Sequence, residues 1–149
     1  MAASNPVVQL LRTVGGVLIG LMSITLIVEP IEFLLVLAAN GGLPTDPYEY
    51  FQVRNRGWFL GLKIAYNTGA AVAAGYFTAW IAGRAPLTHA IVVAVLQLAA
   101  FVFAMVTPEL RQTGPDWMWY TLLAATPIGI LAGAWLRGRR ARGAITVRS

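Results

Sequence analysis

Apolar residues in this chain come in long runs rather than in alternation. Four stretches, about 15–39, 58–82, 87–107 and 117–136, are almost free of charge. A helix that crosses the hydrocarbon core of a bilayer needs about 20 such residues at about 1.5 Å each. The gaps carry turn-forming residues: Asn40-Gly41-Gly42-Leu43-Pro44, Gly83-Arg84-Ala85-Pro86, and Thr107-Pro108 through Gly114-Pro115. The pattern predicts an all-α membrane protein, a bundle of four transmembrane helices. The first stretch is preceded only by Arg12, runs too long for a signal peptide and has no small-x-small cleavage site behind it, so it reads as a retained helix. The segments at the two ends are too short to be domains. The chain is therefore one four-helix transmembrane domain, followed by a basic cytoplasmic tail at 137–149.

The link between the first two stretches has a helix signature of its own. Asp46 is a good N-cap, Pro47 fits the first helical position, and Glu49 stands three residues after the cap. Tyr48, Tyr50 and Phe51 follow. A short interfacial helix from about Pro47 to Asn55 is expected, its aromatics at the headgroup level.

Composition agrees with the runs. Of 149 residues, 58% are hydrophobic and 11% charged, where a soluble domain carries about 25% charge. The mean hydropathy is +0.68. A soluble domain this small cannot hide so much apolar surface and still cover itself with polar groups, nor does the composition fit a disordered chain. The net charge of +5 is a matter of placement, since Arg137, Arg139, Arg140, Arg142 and Arg148 are five of the 11 basic residues. Beside a membrane such a tail binds anionic lipid and fixes topology, and no nucleic-acid partner is implied. Counting arginines in the flanks places both termini in the cytoplasm. Arg54 and Arg56 on the opposite side weaken that count. Trp58, Trp117, Trp119 and Tyr120 would form the outer aromatic belt, Trp80 and Trp135 the inner one.

Three charges fall inside the runs: Glu29, Glu32 and Lys63. Counted along the helix axis, Glu32 lies about 10 Å and Lys63 about 8 Å below the outer end, while Glu29 and Asn67 lie at about 14–15 Å. Gln97 and Thr126 fall near the middle of the third and fourth runs. Glu29 and Glu32 are three residues apart and Lys63 and Asn67 four, so each pair shares a helix face. The expectation is a polar cluster within the membrane, Glu32 with Lys63 and Glu29 with Asn67 and Gln97. A carboxylate in lipid is paired or protonated. Two roles stay open: the cluster holds helices together, or a titrating Glu29 serves proton or ion movement. A third arrangement leaves Lys63 reaching to the headgroups alone.

Small residues mark close helix approach. Gly16 and Gly20, Gly57 and Gly61, and Gly129 and Gly133 each form G-x-x-x-G. The second run carries two stripes, Gly61, Ala65, Gly69, Ala73 and Ala71, Gly75, Ala79, Gly83, and is expected to be central. Pro30 and Pro127 lie mid-run, where each allows a kink. His89 opens the third run. It is a candidate ligand or pH-sensing group, or an interfacial cap. With one histidine and no cysteine, no metal or cofactor is implied. Gly-rich phosphate loops, G-x-S-x-G, H-E-x-x-H and C-x-x-C are absent.

Ala65-Tyr66, Gly75-Tyr76-Phe77-Thr78-Ala79, Arg84-Ala85-Pro86-Leu87-Thr88-His89-Ala90 and the opening Leu11-Arg12-Thr13-Val14-Gly15-Gly16-Val17-Leu18 resemble a group of small, uncharacterised bacterial four-helix membrane proteins. In that pattern an Arg follows the Ala-Tyr pair, where this chain has Asn67. The resemblance implies a four-helix topology in a bacterial inner membrane and no assigned activity. The leading functional expectation is a non-catalytic accessory or structural subunit, partnered by other membrane subunits or by itself through its small-residue faces. The alternative is a small oligomeric proton- or ion-coupled transporter or channel using Glu29, Glu32 and Lys63.

Overall fold

The computed structural model describes residues 5–83 and 85–146, with side chains described as far as 140. The expectations placed on Arg84, Arg148 and the Arg142 side chain lie outside the described residues. Six helices follow one another: α1 Pro6–Asn40, α2 Pro47–Arg54, α3 Gly57–Ala82, α4 Pro86–Val106, α5 Pro108–Arg111 and α6 Asp116–Thr146.

Local chemistry explains the boundaries. Asn5 caps α1 by accepting from the Val7 N–H at 3.0 Å, with Pro6 at the first helical position. The helix thus begins nine residues before the apolar run, because a cap and a proline outweigh the polarity of the first turns. Gly41, at φ 72°, ends α1 in the left-handed region that a residue with a Cβ resists. Asp46 caps α2 by accepting from the Glu49 N–H at 2.8 Å. The Glu49 carboxylate turns back to accept from the Thr45 N–H at 2.6 Å and from Asn40 Nδ2 at 3.2 Å. That reciprocal pair closes the loop onto the end of α1. Arg56 donates to the Ala39 carbonyl at 3.5 Å, a second tie to the same helix end.

Among the described residues, three helices are long and apolar enough to cross a membrane: α1, α4 and the Asp116–Arg140 part of α6. The molecule is a membrane-embedded helical protein. The fourth crossing expected at 58–82 forms as a helix of 26 residues but is not among the three. Its polar and small residues are the reason. α3 is the central helix, packed most extensively on α6 and next on α1, and it buries Lys63, Asn67 and Thr78. A helix surrounded by helices needs small side chains more than apolar ones.

The closest approach is between α3 and α6. A Cβ on Gly75 would overlap the Ile130 carbonyl oxygen, and one on Gly133 the Val72 carbonyl oxygen. Gly129 lies against the Ala71 Cβ. On the other side, Gly16 faces the Thr78 carbonyl, and Gly20 faces Thr78 and Val93. Buried Ile24, Ala70, Ala71, Ala74, Val93, Ile130 and Ala134 fill the seams. Gly61 and Gly69, expected to pack, meet no neighbour among the described residues of this chain: the Cβ position of each is open. One α3 stripe is thus consumed in the bundle, and the other, with Gly61 and Gly69, is left uncovered. Trp119 also departs from expectation. It is buried beside Met118 and Leu122, its indole N–H donating to the Arg111 carbonyl at 3.1 Å, while Trp58, Trp80, Trp117, Tyr120 and Trp135 are exposed. α6 continues through the basic segment as far as residue 146.

Gly75→Ala forces α3 and α6 apart and should lower stability by about 1–3 kcal/mol, whereas Gly69→Ala should leave the melting temperature in detergent unchanged or slightly raised. Equal effects would refute the assignment of the two faces. Glu49 provides a pH test. Its contacts with the Thr45 N–H, the Asn40 amide and the Thr45 hydroxyl hold its carboxyl below the ordinary glutamate range. The stabilisation is therefore complete above an unfolded value of about 4.3 and is lost as pH falls through the lower folded value. An NMR titration of the Glu49 carboxyl should show this depressed midpoint; an ordinary one would mean that the loop closure does not form.

Candidate functional site

The site is built around one carboxylate. Glu32 sits eight residues from the end of α1 and is only 3% exposed. Its Oε2 accepts from Lys63 Nζ at 2.7 Å and from the Tyr66 hydroxyl at 2.8 Å, both on α3. Its Oε1 faces Arg54 Nη1 at 3.0 Å and accepts from the Tyr50 hydroxyl at 3.3 Å, both on α2. Two cations and two hydroxyls thus fill the acceptor capacity of one carboxylate. Charge-assisted bonds of this kind are the strong ones, and here water is largely excluded.

Each donor arrives by a local cause. Lys63 and Tyr66 are three residues apart, so one face of α3 carries both. Tyr50 and Arg54 are four apart on α2, whose start is fixed by the Asp46 cap and the Glu49 turn. Burial first, and the Glu32 charge second, push the Tyr50 hydroxyl up to about 12, so it stays a donor. Arg54 does more than pair. Its Nη2 donates to the Thr113 carbonyl at 3.3 Å, its guanidinium lies 5.1 Å from the Phe51 ring centre, and Asn55 Nδ2 donates to the same Thr113 carbonyl at 3.3 Å. These contacts fasten α2 to the loop before α6. Arg54 Nε and Asn55 Oδ1 are buried there without a hydrogen-bond partner.

Glu32 and Lys63 therefore meet, and the rest of the expected cluster is rearranged. Asn67 Nδ2 donates to the Lys63 carbonyl of its own helix at 2.8 Å, so its amide is not spent on Glu29. Glu29 is exposed on α1. Gln97 is half-buried on α4, and no hydrogen bond joins it to Glu29 among the described contacts. Glu29 does line a cavity of about 190 Å³ with Glu32, Arg54, Lys63 and Asn67, walled by Phe101 and Trp119. Lys63 does not reach away alone, since its ammonium is held by Glu32.

Sequence reasoning missed Arg54, Tyr50 and Tyr66. Tyr66 carried a readable signal, its i+3 spacing from Lys63. Arg54 and Tyr50 share a face of α2 by their i,i+4 spacing, but spacing alone does not say that this face turns toward α1. Elsewhere, His89 sits at the start of α4, its Nδ1 3.0 Å from the Ala85 carbonyl and its Nε2 3.2 Å from the Thr13 hydroxyl. The carbonyl requires Nδ1 to be the donor, which leaves Nε2 to accept in the neutral ring. His89 thus folds back onto the start of its own helix and ties α4 to α1.

Glu32→Gln leaves Lys63 and Arg54 buried against each other and should cost about 3–5 kcal/mol. Lys63→Met keeps Arg54 and both tyrosines on the carboxylate and should cost about 1–2 kcal/mol. The double variant should melt above Glu32→Gln alone, because it removes one of the orphaned cations. Thermal melts of the four proteins in detergent decide this, and an unchanged melting temperature for Glu32→Gln would remove Glu32 from the centre of the site.

Comparison of the chain with protein-family models, with curated proteins and with solved structures finds no match, so its function is read from the site itself.

Proposed function

We propose that this chain is a non-catalytic subunit of a helical membrane assembly, crossing a bacterial inner membrane four times with both ends in the cytoplasm. The observation that carries the proposal is the contrast between Glu32 and Glu29. One carboxylate is saturated inside the bundle. The other, one turn away on the same helix and at mid-membrane depth, is exposed on the bundle surface. An ionisable group facing hydrocarbon is costly, and such groups face a bundle interior, a watery cavity or a partner. A neighbouring subunit laid along α1 removes the cost.

Two further features support the reading. α3 spans about 39 Å at 1.5 Å per residue, enough for a full crossing. The positive charge opposing the topology is largely neutralised locally, since Arg54 is paired with Glu32 and Arg111 with Asp116 at 2.9 Å. The sequence carries five arginines from Arg137 onward against Arg56 on the opposing side, which favours that end in the cytoplasm.

A second reading rests on the cavity, where Glu29 stands beside Glu32 and Lys63. A chamber open to protons at that point is the starting geometry for coupled transport, with Glu29 as the group that changes charge. Because the chain has no cysteine, Glu29→Cys provides a single clean attachment point. Cross-linking from that position in native membranes, with native mass measurement in mild detergent, should capture a second polypeptide on α1. A lone monomer with no adduct would overturn the subunit reading. Proton flux in liposomes that Glu29→Gln abolishes would establish transport instead.

A further inference from the structure

The outer side of the α3–α6 crossing holds a groove of about 360 Å³, within the range of small-ligand sites. Gly69, Ala73, Tyr76 and Phe77 of α3 form one wall, Leu136 of α6 the other, and Arg140 closes one end. It exists because of the packing behind it. Gly133 lets α6 press against the Val72 backbone, which holds Leu136 close to α3, while Gly69 leaves its own Cβ position empty. The result is an apolar furrow that runs from mid-helix to the basic end of α6, over the roughly 10 Å between Gly69 and Tyr76.

The charged end is what selects an occupant. The Arg140 guanidinium lies 5.8 Å from the Tyr76 ring centre, turned back over the groove. Arg139, by contrast, lies over the Trp135 ring at 4.0 Å. A partner helix would bring apolar surface to the furrow but would need an acidic side chain at the level of Arg140 to meet the cation. An anionic phospholipid brings both: an acyl chain for the Gly69–Phe77 wall and a phosphate for Arg140. Anionic headgroups on the cytoplasmic leaflet attract basic residues near the membrane surface.

We infer that the groove between α3 and α6 is a binding site for one anionic phospholipid of the leaflet on the side of Arg140. The inference rests on the reading that α3 and α6 both cross the bilayer. The test uses the full chain, delipidated in mild detergent and examined by native mass spectrometry. Phosphatidylglycerol, phosphatidylcholine with the same acyl chains, and glycerol phosphate without chains are added in separate arms. One phosphatidylglycerol per chain should be retained, with a preference of about fivefold over phosphatidylcholine. Glycerol phosphate should not be retained. Arg140→Gln should abolish the preference and Arg139→Gln should keep it. Gly69→Leu should reduce retention of both lipids without lowering the melting temperature, since it grows into open space.

Equal retention of the two lipids, or wild-type behaviour of Arg140→Gln and Gly69→Leu, would overturn the site. A dimer that Gly69→Leu dissociates would show a second copy of the chain in the groove and would overturn it too. Release of the chain from vesicles by alkaline carbonate would instead remove the bilayer reading beneath it, an outcome independent of lipid preference.

Discussion

A carboxylate that leaves water must find its hydrogen-bond donors within the protein, and Glu32 draws them from two other helices. Lys63 and Tyr66 approach from α3, Arg54 and Tyr50 from α2. One residue thus joins α1, α2 and α3, beside the buried apolar contact of Val36, Val53 and Phe59 from the same three helices. Such a cluster is weak as a source of net stability, because desolvation of the charges offsets much of their attraction. It is strong as a determinant of register, since sliding α1 against α3 by one turn would strand charges on both. The short α2 would otherwise be a surface helix with little to bury, and its Arg54 gives it a fixed address.

The rest of the bundle is held by proximity rather than polarity. At Gly75 and Gly133 the helices α3 and α6 approach each other's backbone carbonyls, with no room for a methyl group. Lipid tails are as apolar as leucine, so helices in a bilayer gain from tight packing and hydrogen bonds more than from burial of greasy side chains. The core accordingly contains many alanines, among them Ala70, Ala71, Ala74, Ala90 and Ala134. The large apolar residues Leu26, Phe33, Val95, Phe103 and Ile128 are exposed. This inverts the soluble pattern and is itself a signature of the solvent the protein occupies.

Much of this was legible in the sequence. Run length and turn residues placed the long helices to within a residue or two at most ends, and capping chemistry located α2. The start of α1 was missed because hydropathy falls off before Asn5 and Pro6 take over. The special character of α3 shows the limit of apolarity as a guide: the most central helix is the one whose composition least resembles a lipid-facing span. Depth counting brought Glu32 and Lys63 to one level, since the rise per residue is fixed. Azimuth was harder. Spacing says which residues share a face, not which neighbour that face meets. Glu29 and Asn67 have matching depth yet different surroundings, and of two α3 small-residue stripes, similar in spacing, only one lies against α6.

The Glu32–Lys63 pair also has a history in time. The two residues are 31 apart in sequence, so a chain made from its N-terminus presents Glu32 to the insertion machinery ahead of Lys63. In that interval α1 carries two carboxylates, Glu29 and Glu32, and not one of the donors that later fill the site. An uncompensated acidic group at the centre of a helix opposes insertion by about 2.5–3.5 kcal/mol. α1, apolar enough to cross by itself, holds Glu32 most cheaply once the Lys63 and Tyr66 donors of α3 lie beside it.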